Sequence, residues 1–515
     1  MSITRILDAV VAPLPPSGPD TVAVSFDGRA RLTYRELRER ARRYASGFVD
    51  LGLSPGDRVG LLLYNDPEYL PLFFGAAYAG LVANRLNFRL APAELEFILA
   101  DSGARALVVH ASLLDRIEAV RDRTALEHVV VIGDVERDLP PWAVPLDGLS
   151  GRGELVDGPV IAESDPVGLL YTSGTTGLPK GALWTHANLV GNAVTQALRW
   201  RFSQRTVSLV PGPTYHAGGL EAVVAPTLLM GGTAVVLPSR NFAITHLLDV
   251  IAAEQVTDCL LFSFMLSEML RLDDLEARLP PSLTHLIIGG DTMMPWTVAE
   301  TRRRMPGVRL TQVFGLTEGG AIATCLDDED FESQPGSIGR PLPLSEAAVV
   351  GPDGEPAEVG EVGEILVRNP GVCAGYWQRP EANRDTFVDG WCRTGDVGTV
   401  NADGFLSLAG RAKDMIRCGG ENIYPAEVEK VLTDHPDVLD AAVVAVPDPK
   451  YLEVGAAVLV LREPVEGDAL RAWCRERLAS YKVPRHVVIR PELPRNASGK
   501  VLKYVLREQL EKEIT

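Results

Sequence analysis

The sequence predicts an α/β fold, with a large N-terminal domain of layered β-sheets and helices followed by a small α+β domain. Its 515 residues exceed the size of a usual single core, so at least two domains are expected. Helical and strand patterns alternate from about residue 20, which is typical of βα units in largely parallel sheets. The composition changes near residue 410, where a polar segment precedes a compact α+β pattern.

The N-terminal part begins with a helix and continues in βα units. The segment Leu32–Leu37 starts that helix: Thr33 is the predicted cap, and Glu36 stands three residues later, the spacing of a capping box. Apolar runs predict the elements that follow, which are strands over residues 58–63, 105–109 and 167–171 and helices over residues 67–79 and 92–101.

The most membrane-like stretch spans residues 220–237. It contains Glu221, Pro226 and the pair Gly231-Gly232, so it is predicted to form a buried helix, a turn and a strand instead of a membrane span. The N-terminus lacks a charged start followed by an apolar core, and no secretion signal is predicted. We therefore expect a soluble protein.

The C-terminal region is predicted to form its own domain. We place the boundary at Lys413, which gives domains over residues 1–412 and 413–515. Pro425 opens the first helix of the second domain, a position where its missing N–H costs little. The predicted elements are helices over residues 426–432 and 468–479 and strands over residues 438–446, 454–461 and 486–490.

The overall charge and the cysteines limit the possible partners. The net charge of −18 argues against a surface for nucleic acid or anionic membrane, although a local positive patch could still bind an anion. The six cysteines are scattered without C-x-x-C pairs, which indicates reduced, structural thiols in a cytoplasmic protein. The oligomeric state stays open between monomer and homodimer.

The most informative stretch is Tyr171–Gly181, with the sequence YTSGTTGLPKG. It follows a predicted strand and contains no acidic residue. Glycines let a backbone approach an anion, hydroxyls donate hydrogen bonds, and Lys180 adds positive charge, so the stretch predicts a polyphosphate-binding loop. The spacing of a Walker A loop is absent, which excludes a P-loop kinase. The predicted phosphate-binding residues are Thr172, Ser173, Gly174, Thr175, Thr176, Gly177 and Lys180.

The order TSGTTG-x-PKG resembles the phosphate loop of the adenylate-forming superfamily, which includes acyl-CoA synthetases, luciferases and non-ribosomal adenylation domains. Further motifs resemble the family's, in its order and over nearly the whole chain, and the resemblance is closest to acyl- or aryl-CoA ligases. It implies a small C-terminal domain that is mobile and rotates about a hinge at Lys413. It also implies ATP and Mg²⁺ as cofactors and CoA as co-substrate.

The segment Pro213–Gly219 looks like the family's acyl-site segment, in which His216 would help to position the carboxylate and gate the acyl pocket. Amino-acid-activating members usually carry an Asp near this point. Tyr215 and His216 stand here instead, so the resemblance favours an acid without an α-amino group.

Two segments resemble the family's adenine and metal motifs. Ile287–Asp291 ends a strand in a glycine turn against which adenine would pack, and Gln312–Glu318 resembles the YGxTE signature. In the second segment Glu318 would hold Mg²⁺, a hard cation that requires oxygen ligands. The resemblance also assigns Gly289, Gly290, Asp291 and Phe314 to adenine binding and Thr317 to a contact with the α-phosphate.

The resemblance further assigns residues to ribose binding and to the mobile domain. Asp396 would accept hydrogen bonds from both ribose hydroxyls, and Arg411 would add a ribose or phosphate contact. Lys500, in a polar loop near the C-terminus, matches the catalytic lysine. Gly419 and Gly420 lack side chains and could let the pantetheine arm of CoA pass.

These residues imply nucleotidyl transfer: a carboxylate attacks the α-phosphorus of ATP, pyrophosphate leaves and an acyl-adenylate forms. CoA is the favoured acceptor, with an amine or a carrier protein as alternatives. A non-catalytic adenylate-binding protein is disfavoured by the intact charged residues. A medium-chain, cyclic or aromatic monocarboxylate fits best, because the pocket candidates are His216, Gly218, Gly219, Phe262, Phe264, Gly289 and Ala321, without an evident Arg or Lys.

Two segments depart from the family pattern, and both lie away from the ATP motifs. Val82–Asn87 lacks the common Pro-Leu-Asn step, and Tyr451–Glu453 replaces an aromatic-Gly-Glu sequence.

Overall fold

A computed structural model describes residues 2–11, 18–134, 138–150, 153–155, 157–172, 179–240, 242–290, 293, 295–411, 414–418, 421–448, 451–495 and 500–514. Within these ranges the chain forms 26 strands and 15 α-helices. They assemble into the mixed α/β architecture that the sequence predicts, with a large N-terminal part and a smaller C-terminal part.

The strands are rich in Val, Ile and Leu, which fit a buried pleated surface. The first fourteen are β1 (Val22–Phe26), β2 (Ala30–Thr33), β3 (Arg58–Leu62), β4 (Val82–Arg85), β5 (Ala106–His110), β6 (His128–Ile132), β7 (Ala143–Pro145), β8 (Pro166–Thr172), β9 (Lys180–Thr185), β10 (Val207–Val210), β11 (Thr233–Val236), β12 (Asp258–Phe262), β13 (His285–Gly289) and β14 (Arg309–Phe314). The others are β15 (Thr324–Leu326), β16 (Ser337–Pro341), β17 (Glu346–Val350), β18 (Gly363–Arg368), β19 (Phe387–Val388), β20 (Trp391–Val400), β21 (Leu406–Arg411), β22 (Ile416–Cys418), β23 (Glu421–Ile423), β24 (Val438–Asp448), β25 (Leu452–Leu461) and β26 (His486–Ile489).

The helices flank these strands, and a short π-helical turn, Leu220–Val224, precedes α7. The α-helices are α1 (Thr4–Val11), α2 (Tyr34–Asp50), α3 (Tyr69–Tyr78), α4 (Pro92–Ser102), α5 (Leu114–Glu118), α6 (His186–Trp200), α7 (Ala225–Leu229), α8 (Ile244–Ala253), α9 (Ser263–Met269), α10 (Leu275–Arg278), α11 (Pro295–Arg304), α12 (Pro380–Thr386), α13 (Pro425–Thr433), α14 (Gly467–Arg475) and α15 (Lys503–Ile514).

The largest sheet has 14 strands in the described part of the chain. Strands β1, β11, β10, β12, β13 and β14 are parallel neighbours in that order. Beyond β14 the order is β15, β16, β21, β20, β18 and β17, and every pair is antiparallel. The prediction of largely parallel sheets is wrong for this half. The described segment 315–411 contains a single α-helix, α12, and strands joined by short turns pair antiparallel.

Two further sheets complete the described fold. The second has seven strands in the order β7-β6-β5-β3-β4-β8-β9, and only its β8–β9 pair is antiparallel. The third has five strands, β22 to β26, and belongs to the C-terminal region. In the third sheet β24 and β25 form a long antiparallel hairpin, while β26 pairs parallel with β25.

Local signals predicted most of these elements. The capping box at the start of α2 is confirmed: the backbone N–H of Glu36 donates to Thr33 Oγ1 (3.2 Å), and the Glu36 carboxylate accepts from the backbone N–H of Thr33 (2.8 Å). Helix α14 ends at Arg475, four residues before its predicted end. There the carbonyl of Cys474 accepts from the N–H of Arg477 (3.0 Å) as well as from that of Leu478 (2.8 Å), so the last turn is tightened.

The core of the N-terminal part joins the first two sheets. One cluster of buried side chains contains Leu61 from the second sheet and Val210 from the large sheet, together with most side chains of α3, a helix whose residues are all buried. An α-helix that is apolar on every side is typical of such an interior position. A separate cluster fills the C-terminal part, from Ile416 to Leu510.

Two chain-wide expectations concern thiols and membranes. The six cysteines are unpaired and buried, as expected for structural thiols. Among the described residues, no helix has both the length and the apolar character needed to cross a membrane.

Candidate active site

A tight loop after β14 places Glu318 at the carboxyl end of the parallel strands. The loop leaves the strand at Phe314, and a Cβ on Gly315 would lie 2.0 Å from the carbonyl oxygen of Ala321, so only glycine fits there. Ala321 has a positive φ of 55°, which returns the chain to the sheet. Thr317 and Glu318 therefore lie at the edge where parallel α/β sheets bind ligands.

Glu318 is 8% exposed, and its carboxylate accepts two hydrogen bonds. Thr172 Oγ1 donates at 2.8 Å and the Tyr376 hydroxyl at 3.0 Å, both to Oε1. No recorded hydrogen bond from the described residues reaches Oε2, so this oxygen could bind a hard cation such as Mg²⁺. The described residues contain no cluster of three or more carboxylate, imidazole or thiol groups that could hold a metal ion. A single carboxylate supplemented by oxygens of ATP and water fits Mg²⁺ well.

The two ends of the predicted phosphate loop lie beside this carboxylate. Thr172 is the last residue of β8, Lys180 is the first residue of β9, and the two are paired in the antiparallel ladder. Lys180 Nζ lies 5.2 Å from the centroid of the Tyr376 ring, within the range of a cation–π contact. The predicted residues Ser173, Gly174, Thr175, Thr176 and Gly177 lie outside the described residues.

Tyr376 was missed by the sequence analysis, although it contacts both Glu318 and Lys180. Its segment is held against β9, where the N–H of Trp377 donates to the carbonyl of Gly181 (2.7 Å). The hydroxyl of Tyr376 comes from 58 residues beyond Glu318. No local pattern marks a contact over that separation, so only the folded chain reveals it.

The predicted adenine segment lies on neighbouring strands. Gly289 ends β13, which pairs in parallel with β14, so Gly289 and Phe314 end at the same edge of the sheet. Gly290 has a φ of 85°, a conformation that favours glycine, and a Cβ on Gly289 would lie 2.9 Å from the Val313 side chain. Asp291 lies outside the described residues.

The two predicted ribose residues face each other across an antiparallel pair. Asp396 on β20 is directly opposite Arg411 on β21 in the ladder. Asp396 is buried, and its backbone N–H donates to Thr394 Oγ1 at 3.0 Å. The described chain therefore brings these two residues together, whereas the predicted Lys413, Gly419 and Gly420 lie outside it.

His216 lies in the loop between β10 and the π-helical turn. Its Nδ1 accepts a hydrogen bond from the backbone N–H of Gly218 at 3.2 Å. His216 is exposed to solvent. Desolvation by neighbouring protein atoms, followed by the positive charge of Arg85, lowers its pKa. The imidazole is therefore neutral at physiological pH. A π-helical turn after such a loop is frequently found at functional sites.

Arg85 and Glu221 form a buried ion pair beneath this loop, which the sequence analysis did not identify. The exposed fractions of the two side chains are 0% and 2%. Arg85 also donates from Nη1 to the carbonyl of Thr214, two residues before His216 (3.1 Å). Burial raises the pKa of Glu221, and Arg85 opposes that rise. The positive charge near the acyl segment is thus matched by a carboxylate.

Lys500 lies on the C-terminal part. Its side chain is exposed, next to the bridge between Arg495 and Val501 that precedes α15. The loop before it, residues 496–499, lies outside the described residues. The described structure therefore brings together the Thr172, Lys180 and Glu318 group, while Lys500 is carried by a different hydrophobic unit.

Comparison with known proteins covers nearly the whole chain. The family model described as AMP-binding enzyme matches residues 16–377, and the model described as AMP-binding enzyme C-terminal domain matches residues 427–500. A feruloyl-CoA synthase from Amycolatopsis sp. is 40% identical over 95% of this chain and 96% of its own. An indoleacetate–CoA ligase from Aromatoleum aromaticum is 37% identical, over 95% of each chain.

Solved structures of similar proteins also match this chain over nearly its whole length. The anthranilate CoA ligase AuaEII in complex with anthranoyl-AMP has a TM-score of 0.90 and 27% identity, covering 100% of this chain and 98% of its own. The o-succinylbenzoate CoA synthetase from Bacillus subtilis, in complex with its acyl-adenylate, has a TM-score of 0.84 and 31% identity, covering 98% and 97%. The chain therefore belongs to the AMP-binding enzyme family, and within it to the acyl-CoA ligases.

Proposed function

We propose that the protein activates a carboxylic acid with ATP, releases pyrophosphate and transfers the acyl group of the resulting adenylate to CoA. The observation that carries this proposal is the convergence of both ends of the phosphate loop on Glu318. That arrangement places a hydroxyl and an ammonium of the second sheet close to a carboxylate that follows a strand of the large sheet, where the glycine turn proposed for adenine also lies.

We propose that Glu318 contributes one oxygen ligand to a magnesium ion. When bound with ATP, Mg²⁺ supplies positive charge against the phosphate oxygens. Lys180 compensates part of the remaining charge of the triphosphate, the loop hydroxyls donate hydrogen bonds to its oxygens, and Thr317 contacts the α-phosphate. The anionic acid and nucleotide need positioning and charge compensation more than covalent help from the protein.

The acid is held by the loop that carries His216, and Lys500 enters from the small domain to bridge the carboxylate and α-phosphate oxygens. In this proposal residues 1–412 and 413–515 move as two domains about Lys413. After the adenylate forms, Lys500 leaves and the segment with Gly419 and Gly420 approaches to admit CoA. Closure that assembles two sites in turn is a known role of mobile domains.

An aromatic monocarboxylic acid is the proposed substrate class. Arg85, beside the acyl loop, is already neutralised by Glu221, so it would not offer an unpaired cation to a second substrate carboxylate. Relatives named for feruloyl and indoleacetate substrates support an aryl acid. A relative named as a long-chain fatty acid ligase, from Mycobacterium tuberculosis, is 35% identical over 93% of each chain. Fatty acids, and with them a role in fatty acid metabolism, are therefore the second choice.

The cytoplasm is the proposed location, because ATP and CoA are supplied there and the six cysteines are unpaired, as is usual in a reducing compartment.

Pyrophosphate release across a panel of acids tests the proposal. Ferulate, indoleacetate, benzoate and octanoate are each incubated with ATP and Mg²⁺, together with CoA, with an amine, or with neither. We expect release with at least one aryl acid and a mass spectrum that shows the acyl-CoA. An amide product would reassign the acceptor, and no release with any acid would contradict adenylation.

A further inference from the structure

One aromatic residue, Tyr376, contacts the two charged side chains proposed for the metal and the phosphates. Its hydroxyl donates to Glu318 Oε1 at 3.0 Å, and its ring lies 5.2 Å from Lys180 Nζ. Glu318 follows a strand of the large sheet, whereas Lys180 begins a strand of the second sheet. Tyr376 thus links the two sheets at the candidate site.

The hydroxyl contact selects one oxygen of the carboxylate. Thr172 and Tyr376 both donate to Oε1 of Glu318, which restrains rotation of the carboxylate and directs Oε2 away from the two hydroxyls. A phenol is protonated at neutral pH, so the Tyr376 hydroxyl is the donor and the carboxylate oxygen the acceptor. A partner that orients a ligating carboxylate commonly tunes metal affinity.

The ring contact restrains the lysine. An ammonium near an aromatic face is held by the ring quadrupole without being neutralised, so Lys180 keeps its full charge for an anion. A carboxylate in the same place would pair with Lys180 and compete with phosphate for it.

The position of Tyr376 is set by the protein itself. Its backbone N–H donates to Asn383 Oδ1 at 2.6 Å, and the residue forms a bridge with Ala182 on β9. Its ring packs edge-on against Phe387, with centroids 5.5 Å apart. These contacts hold the tyrosine in place without any contribution from a bound nucleotide.

We infer that Tyr376 is a positioning residue for the metal and phosphate end of the site, its hydroxyl orienting Glu318 and its ring restraining Lys180. The inference rests on the proposed function, because it takes Glu318 as the metal ligand and Lys180 as the phosphate contact. The two halves of the inference are separable: Tyr376→Phe removes the hydroxyl and keeps the ring, and Tyr376→Leu removes both.

Calorimetric titration with α,β-methylene-ATP, with and without Mg²⁺, measures binding without turnover. For Tyr376→Phe we expect the gain in affinity that Mg²⁺ provides to fall about 10-fold, at the lower end of the usual effect because Thr172 remains, while metal-free binding stays unchanged. For Tyr376→Leu we expect an additional loss of about 3-fold in metal-free binding, because Lys180 loses the ring.

Tyr44→Phe is the matched control. Its hydroxyl also donates to a glutamate, Glu68, at 2.8 Å, but on helix α2, so its removal should leave both affinities unchanged. A Mg²⁺-dependent gain in Tyr376→Phe equal to that of the wild type would overturn the inference about the hydroxyl. Equal metal-free binding by Tyr376→Leu and Tyr376→Phe would overturn the part about the ring.

Glu318→Gln separates this inference from the proposed function. If this variant keeps the full Mg²⁺-dependent gain, Glu318 is not the metal ligand and the proposed role fails at that point. If Glu318→Gln loses the gain while Tyr376→Phe keeps it, the proposed metal role stands and only the positioning role of Tyr376 fails.

Discussion

The buried pair of Arg85 and Glu221 makes a quantitative prediction about stability. Both side chains are almost completely buried, and Arg85 Nε and Glu221 Oε2 have no hydrogen-bond partner among the described residues. Removing either partner leaves an uncompensated charge in the core, which typically costs about 3–5 kcal/mol. We therefore expect Arg85→Met and Glu221→Met each to lower the free energy of unfolding by about that amount.

The double variant should be more stable than either single variant. Two methionines fill the space of the pair without a buried charge, and such replacements are often neutral or stabilising by about 1–4 kcal/mol. The double-mutant cycle should therefore show a coupling energy well above about 2 kcal/mol, since the two residues are in direct contact.

The two single variants should differ in their response to pH. In Arg85→Met, Glu221 loses its cation, so its folded pKa rises further above its unfolded value. The folded state then holds a proton that the unfolded state releases. The free energy of unfolding of Arg85→Met therefore falls as pH rises, by up to about 1.4 kcal/mol per pH unit. In Glu221→Met the orphaned guanidinium cannot release its proton in this range, so no such slope is expected.

Urea unfolding followed by tryptophan fluorescence at pH 5.5, 7.0 and 8.0 provides the measurement. Arg303→Met is the control, because its pair with Glu300 is on the surface, with Arg303 67% exposed, and should contribute less than about 1 kcal/mol. Single-variant costs below about 1 kcal/mol, or a double variant equal to the sum of the singles, would refute the reasoning.

Three further predictions concern catalysis, acid stability and the loop after β14. Lys500→Ala should reduce adenylate formation about 10²–10³-fold, while thioester formation from supplied acyl-adenylate continues. Lys512→Ala, which changes an exposed lysine on α15, should alter neither half-reaction. If folded Lys500→Ala lost both half-reactions, the assignment of Lys500 to adenylate formation alone would be contradicted. Burial lowers the pKa of His186 to about 4, so the free energy of unfolding should fall by up to about 3 kcal/mol as pH drops from about 6.5 to 4. Urea unfolding of His186→Gln should show a weaker dependence of this free energy on pH. An unchanged dependence would exclude His186 as its cause. Gly315→Ala should lower the melting temperature by several degrees in a thermal melt, because its Cβ would overlap the Ala321 carbonyl; an unchanged melting temperature would mean that the loop relaxes freely.

Local sequence predicted much of the fold because its signals act over a few residues. The cap of α2, the strand over Arg58–Leu62 and the helix after Pro425 were predicted from apolar spacing, capping residues and proline placement. The antiparallel half of the large sheet was not, because a strand pattern does not state which neighbour a strand chooses or in which direction it runs.

The candidate site divides in the same way. By itself, the sequence determined the identity and order of the motif residues, including Lys180 and Glu318, because glycine-rich turns and their flanking strands are contiguous in the chain. Only the tertiary structure decided that Tyr376 orients Glu318 from 58 residues away, and that Arg85 pairs with Glu221 across 136 residues. Such partners are brought together when the sheets pack, because polar groups buried away from water must form hydrogen bonds or ion pairs with each other. No local sequence pattern indicates which of them will pair.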